Sequence, residues 1–392
     1  MLVALAVFIT MSSGCAFFRT SQKAEHSAEN SDFVEPERID NQHSVARSHN
    51  ATGGESLESR VAELLLSSVQ NQMGWAHDIS TALTSLKIPP TLENICASLS
   101  VIEQESSFRA EPTVPGLPNI IRKELKKRQE KFVIPDWMMH KALSIQSPKG
   151  GTYHQRIDAL KTENDVNRLY EDMISELPLG RQLLSDFNPV KTGGPMQVSV
   201  VAAKEQLRKA RYPYPYSGDI RDEVFSRRGG LYFGIAYLLS YPIRYNDIIY
   251  RFADYNAGHY ASRNAAFQKM IRQLSGREIE LDGDLLRYQN GKPSSSPSET
   301  YEALRTLSSK LDMDDQAIQR DLLLEKAPGF SSTQLYERID ALAGRSGHGA
   351  VSHEAMPIIH LHSPKFSRGL TTAMFAQRVK ERYETCLGRG GR

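Results

Sequence analysis

The sequence predicts a mainly α-helical chain with one minor hairpin, and three stretches carry that prediction. Leu57, Val61, Leu64, Leu65 and Val69 recur at helical spacing, and so do Leu92, Ile95, Cys96, Leu99 and Ile102. Only Glu278 to Tyr288 alternates like paired strands, and it contains Asp282-Gly283, a hairpin signal. The 392 residues suit two units or one enlarged one. With 48 basic and 46 acidic residues the net charge is +2, which gives no nucleic-acid footprint.

The N-terminus reads differently. Leu2 to Met11 is apolar apart from Thr10, then come Ser12, Ser13, Gly14 and Cys15. The run is shorter than the ~20 residues that span a bilayer and fits a secretory signal. Its small-small-Cys ending resembles a bacterial lipobox, which implies lipidation at Cys15 and a membrane anchor; Ser12 stands where that motif usually has Leu. An ordinary signal peptide or a buried apolar N-terminus is the alternative. Residues 16–56 are polar and read as a tether, with a reach of about 35 Å as a random coil. Export leaves Cys96 and Cys386 either paired or as separate buried thiols.

Further helices follow in order. Trp75 to Leu86 precedes the Pro89-Pro90 break, and Thr91 is a good N-cap for the helix that runs to about Glu105, with Glu93 in its first turn. Residues 109–186 form a helical insert. Its charge run Arg122 to Lys131 reads as a solvated helix with Glu124–Arg128 and Lys126–Glu130 pairs. Pro135 to Gln146 and Asn164 to Leu184 complete the insert. Helices are expected at 197–208, 230–239, 244–254 and 264–274. Residues 276–392 form a C-terminal extension, with helices near 299–311, 314–326, 332–344 and 368–386.

The chemistry centres on Gln104-Glu105-Ser106-Ser107-Phe108. Glycoside cleavage needs a proton donor beside the glycosidic oxygen. A glutamate at the C-terminal end of a mostly buried helix suits that task, since desolvation and the negative end of the helix dipole both favour its protonated form. Glu103, two residues away, faces elsewhere and reads as a solvated neighbour. Downstream come Gly194-Pro195-Met196-Gln197, Gly234-Ile235-Ala236-Tyr237-Leu238 and Tyr255-Asn256-Ala257-Gly258.

These four strings, in this order, resemble the motifs of the soluble lytic transglycosylases, whose fold is related to goose-type lysozyme. The resemblance covers roughly 90–108 and 187–270. It implies a lysozyme-like domain over 57–275 that cuts peptidoglycan glycan strands. Glu105 would be the acid and then the base, with no cofactor and no metal. It implies that Ser106, Met196, Gln197, Tyr237, Tyr255 and Asn256 line or orient the glycan site, with the Tyr255 hydroxyl beside the catalytic carboxylate. Core packing is the alternative for Met196 and Tyr237, and a backbone requirement for Gly258. Asp254 and Asp186 are the candidates for a second carboxylate. Three departures stand out. The 109–186 insert separates Phe108 from Phe187-Asn188-Pro189, which resembles the segment that normally follows the glutamate. Gly230 stands where Asn is usual, and His259 where Pro is common.

Weaker candidates remain. Tyr212, Tyr214 and Tyr216 either stack on sugar rings or pack against the domain. His360 and His362, with His353 and Glu354 nearby, lack a third ligand at diagnostic spacing for a metal. A scaffold that binds peptidoglycan without cutting it, and a muramidase that uses water, are the alternatives in function. Protein partners are not indicated.

Overall fold

The computed structural model describes residues 56–216, 218–289, 292–346, 351–361 and 370–391. The expected signal segment with Cys15, and the tether up to residue 55, lie outside them. The described chain is mainly helical, with three short antiparallel strand pairs. No helix among the described residues is long and apolar enough to cross a membrane.

Helices α1 (Leu57–Leu64), α2 (Gln72–Ser85) and α3 (Leu92–Ser106) open the first core. Thr91 caps α3 by accepting from the Asn94 N–H at 3.3 Å. Ile95, Cys96, Leu99 and Ile102 face inward, as their spacing requires. The helix stops where Ser107 and Phe108 both take left-handed backbone angles, φ 50° and 56°. The Phe108 ring then meets Trp75 edge-on at 5.5 Å.

The insert follows as α4 (Leu117–Lys131), α5 (Asp136–Leu143), α6 (Tyr153–Asp158), α7 (Glu163–Ser175) and α8 (Gly180–Leu184). It has its own core, built from residues such as Ile121, Leu125, Ile157 and Tyr170, to which Val190 and Phe225 are added from beyond it. The charge run is only partly solvated: Arg128 is buried and pairs with Glu124 at 3.1 Å. The single helix expected over 164–184 is broken, because Pro178 cannot continue it and Leu179 turns left-handed at φ 57°. Asn188 closes the insert. Its side chain donates to Asn167 and Glu171 at 2.8 and 2.9 Å and accepts from the Val190 N–H at 2.9 Å.

A tight hairpin, β1 (Thr192–Gly193) and β2 (Val198–Ser199), leads back to the body, with Gly193 opposite Val198. Helix α9 (Val200–Lys209) begins later than residue 197, since Gln197 is left-handed and Ser199 is its cap. Then come α10 (Ile220–Phe225) and α11 (Arg227–Leu239), the latter buried from Gly229 to Leu238 and so central to the fold. Helix α12 (Ile249–Ala257) starts after the expected 244, where the Asp247 side chain accepts from the Ile249 N–H at 2.9 Å, and runs through Tyr255-Asn256-Ala257.

Helices α13 (Ala261–Ser275), α14 (Glu299–Thr306), α15 (Ser308–Leu311), α16 (Asp315–Leu322) and α17 (Gln334–Arg345) enclose a third core around Phe267, Leu304, Phe330 and Ile339. The hairpin is not at Asp282-Gly283. That turn is docked on α13, where Gly283 accepts from Asn264 at 3.1 Å and donates to Gln268 at 2.9 Å. The strand pair is β3 (Tyr288–Gln289) with β4 (Lys292–Pro293), flanking Asn290-Gly291. Buried Glu325 supports this module by accepting from the Leu285 and Leu286 N–H groups and the Tyr288 hydroxyl, and burial pushes its carboxyl up to about 7.

A last pair, β5 (His360–Leu361) and β6 (Leu370–Thr371), precedes α18 (Thr372–Gly390), which returns to the first core. Phe375, Val379, Tyr383 and Cys386 pack there beside α3 and α12. Cys386 is joined to Cys96 in a disulfide, Cα–Cα 5.5 Å. The described residues of 276–392 are therefore divided between two cores.

Candidate functional site

Glu105 stands half-buried in the last turn of α3. Its neighbour Glu103 is no free rival: Arg382 of α18 pairs with it at 3.3 Å. Ser106 is buried, and its hydroxyl donates to the Ile102 carbonyl one turn back at 3.0 Å, so that bond serves its own helix.

The Gly194–Gln197 turn is built against α11. Gly230 and Gly234 lie one turn apart on that helix and leave a slot for it. A Cβ on Gly234 would lie 2.5 Å from the Met196 side chain, and one on Gly230 would lie 2.4 Å from Pro195. Gly230, where the resembled family often has Asn, is thus required by the proline of this turn. Gly194 needs its own freedom: φ is +74°, and a Cβ would lie 2.2 Å from the Val224 carbonyl. The Gln197 N–H closes the turn on the Gly194 carbonyl at 3.1 Å, and its side-chain amide donates to the same oxygen at 3.3 Å.

Helix α12 ties the turn from the other side. The buried Tyr255 hydroxyl donates to the Met196 carbonyl at 2.6 Å. The Tyr255 ring meets Tyr237 of α11 edge-on at 5.6 Å. His259 stacks between Tyr237 and Tyr241, 4.0 Å from each ring, and its Nε2–H donates to the Tyr237 carbonyl at 2.7 Å. Burial pushes this imidazole down to about 4, so it is neutral at neutral pH. Gly258, at φ 120° and ψ 149°, occupies a backbone region essentially reserved for glycine. Asn256 turns to α18 and accepts from the Thr372 hydroxyl at 2.8 Å.

The structure thus brings Met196, Gln197, Tyr237 and Tyr255 together. The chain just past Glu105 reaches them too. Ala110, Glu111 and Pro112 face Gly194 and Gln197 across a cavity of about 10 Å³, room for about one water. The insert closes that side. Thr162, Glu163 and Asn164 line the same cavity, and Asn164 donates to Glu111 at 2.8 Å.

Of the candidates for a second carboxylate, Asp254 serves the fold. Asp254 is fully buried and accepts from the Tyr241 and Tyr245 hydroxyls and the Tyr260 and Ser262 N–H groups, at 2.6 to 3.2 Å. Its burial raises the carboxyl above the usual range. Asp186 is exposed beyond α8.

The tyrosine segment divides. Tyr212 is buried, stacked on Phe233 at 5.2 Å and bonded to Glu223 at 2.5 Å. The Tyr214 hydroxyl donates to Asp78 at 3.3 Å, and Tyr216 is exposed. These residues line an open cleft of about 750 Å³. His353 pairs with Asp340 at 2.9 Å, and Glu354 accepts from Asn246 at 2.7 Å. His362 lies outside the described residues. Among the described residues no three His, Cys, Asp or Glu side chains are arranged to hold a metal.

Sequence reading missed the Arg382–Glu103 pair, the His259 stack and the insert residues beside Gln197. The first joins segments some 280 positions apart with no local pattern to betray it. The last had one local signal, the Thr162–Asp165 capping box that opens α7.

The comparisons with known proteins cover nearly the whole described chain. "Uncharacterized protein YaiW" of Escherichia coli (strain K12) is 44% identical over 329 residues, 84% of this chain and 89% of that protein. No solved structure matches. A family model matches residues 68–389, so the chain belongs to the family described as "Protein of unknown function (DUF1615)".

Proposed function

We propose that this chain is a peptidoglycan lytic transglycosylase with a lysozyme-like body. It would cut the β-1,4 bond between N-acetylmuramic acid and N-acetylglucosamine. Glu105 donates a proton to the glycosidic oxygen, and the muramyl acetamido group stabilises the cation that forms. The muramyl 6-hydroxyl then attacks the anomeric carbon and returns its proton to Glu105, leaving a 1,6-anhydro end. In this reading the enzyme is exported and held at the outer membrane by lipid on Cys15.

One observation carries the proposal. The three motif segments that follow Glu105 meet in space, with Met196 seated on Gly234 and tied to Tyr255, and Tyr255 against Tyr237. Their convergence is what the motif reading requires.

A second reading, binding without cleavage, is favoured by the burial of Met196, Gln197, Tyr255 and Asn256. Purified sacculi incubated with the protein and analysed by mass spectrometry separate the two. Anhydro-ended fragments are expected, reduced about 100-fold or more in Glu105→Gln but retained in Glu103→Gln. Unchanged sacculi with retained binding would leave the scaffold reading. Reducing ends would point to a water-using muramidase, and full activity in Glu105→Gln would remove the central claim.

A further inference from the structure

The turn joining α4 to α5 reads Phe132-Val133-Ile134-Pro135-Asp136-Trp137. Helix α4 ends with the Val133 N–H on the Glu130 carbonyl at 3.2 Å and the Ile134 N–H on the Gln129 carbonyl at 2.9 Å. This is a Schellman arrangement, whose position past the cap is left-handed and usually glycine. Here it is Val133, at φ +53°. A β-branched residue in that region is strained. The packing offers nothing in return, because Val133 is 86% exposed. Phe132 and Trp137 beside it are 43% and 65% exposed, while Ile134 turns back against the insert's core.

The turn is also fixed. The Gln129 amide donates to the Ile134 carbonyl at 3.0 Å and to the Asp136 carboxylate at 2.5 Å. Three large apolar side chains therefore project from a braced turn. The flanks are cationic: Lys123, Lys126, Lys127, Lys131 and Lys141 are exposed, against the exposed acids Glu130 and Asp136.

We infer that this turn is a membrane-contact element, with Val133, Phe132 and Trp137 entering the interface of an anionic bilayer and the flanking lysines meeting its headgroups. Charge complementarity selects the lipid surface. A Trp beside a short apolar wedge, rimmed by Lys, is the composition that sits at the headgroup level. The strain at Val133 fits an exposed residue that serves an external contact.

The chain's tryptophans provide the test. There are two, and Trp75 is only 3% exposed, so a lipid-dependent change in fluorescence reports Trp137. The full chain carrying Cys15→Ala removes any lipid anchor, so the result does not depend on the lipoprotein reading. With vesicles rich in phosphatidylglycerol, a blue shift and quenching by brominated acyl chains are expected. With phosphatidylcholine vesicles, binding should be much weaker. Val133→Asp should lower vesicle affinity about tenfold or more. Val133→Gly should raise the unfolding temperature, by relieving the backbone, yet weaken binding. The inference is overturned by equal binding to both vesicle types, by no shift with either, or by unchanged affinity in the two Val133 variants. A concentration-dependent shift without lipid would also overturn it, marking the turn as a self-association surface.

Discussion

The body around Glu105 and the insert at 109–186 are both helical and both well packed, but they are held together differently. In the insert, the Thr152 and Thr162 capping boxes, the Glu124–Arg128 pair and the Schellman turn at Val133 join near neighbours, and the longer ties stay moderate, Arg156 to Asp172 across 16 positions and Asn164 to Glu111 across 53. In the body, segments far apart in sequence hold one another. Tyr255 bonds to Met196 across 59 positions, Thr372 to Asn256 across 116, and Cys96 to Cys386 across 290. Local ties can form as each helix forms. The body's longest ties need nearly the whole chain in place, and among the candidate site residues Met196, Tyr255 and Asn256 are held by such distant ties. Those three residues can therefore be disturbed by substitutions far from them in sequence.

The largest expected effect is at the turn that meets α11. Gly194→Val would force a side chain onto a φ of +74° and a β-carbon to within 2.2 Å of the Val224 carbonyl, a backbone atom that cannot swing aside. The expected loss is about 4 kcal/mol or more, read as a fall in unfolding temperature. A loss below about 1 kcal/mol, the range of ordinary surface changes, would mean that the turn is not locked.

Replacing both cysteines by alanine tests the longest tie. The expected loss is about 3 kcal/mol in urea unfolding. Hydrogen exchange should quicken in α3 and α18 while α4 and α7 keep their protection. An even loss across the molecule would erase the proposed contrast between body and insert.

The same contrast explains what could be read in advance. The helix bearing Glu105 was legible because its cap, its apolar spacing and its stop all lie within 17 residues of chain. The four candidate strings stood out by their residues and by their order together. The return of α18 was not, because nothing in the stretch after residue 368 says which helix it will meet. The hairpin was misplaced because Asp282-Gly283 is engaged by Asn264 and Gln268 of α13, and the paired strands lie further along, at 288–289 and 292–293. The left-handed Val133 was unreadable, since valine is the last residue such a position predicts.

The smallest effect should come from the insert's own ties, and its size is what makes it informative. The Thr162 hydroxyl accepts from the Asp165 N–H at 3.1 Å, and Asp165 returns the bond by accepting from the Thr162 N–H at 2.8 Å. Thr162→Ala removes half of this box and should cost about 1 kcal/mol of stability. Thr162 and its neighbours also line the cavity beside Gln197. If the insert only walls that side, the substitution lowers the unfolding temperature slightly and leaves the fragments released from sacculi unchanged. If, on the proposed transglycosylase reading, the insert instead helps to shape the glycan site, the same small loss of stability is accompanied by altered glycan fragment lengths. A stability loss well above 1 kcal/mol would show that the insert is held by its junction with the body and not by its local caps.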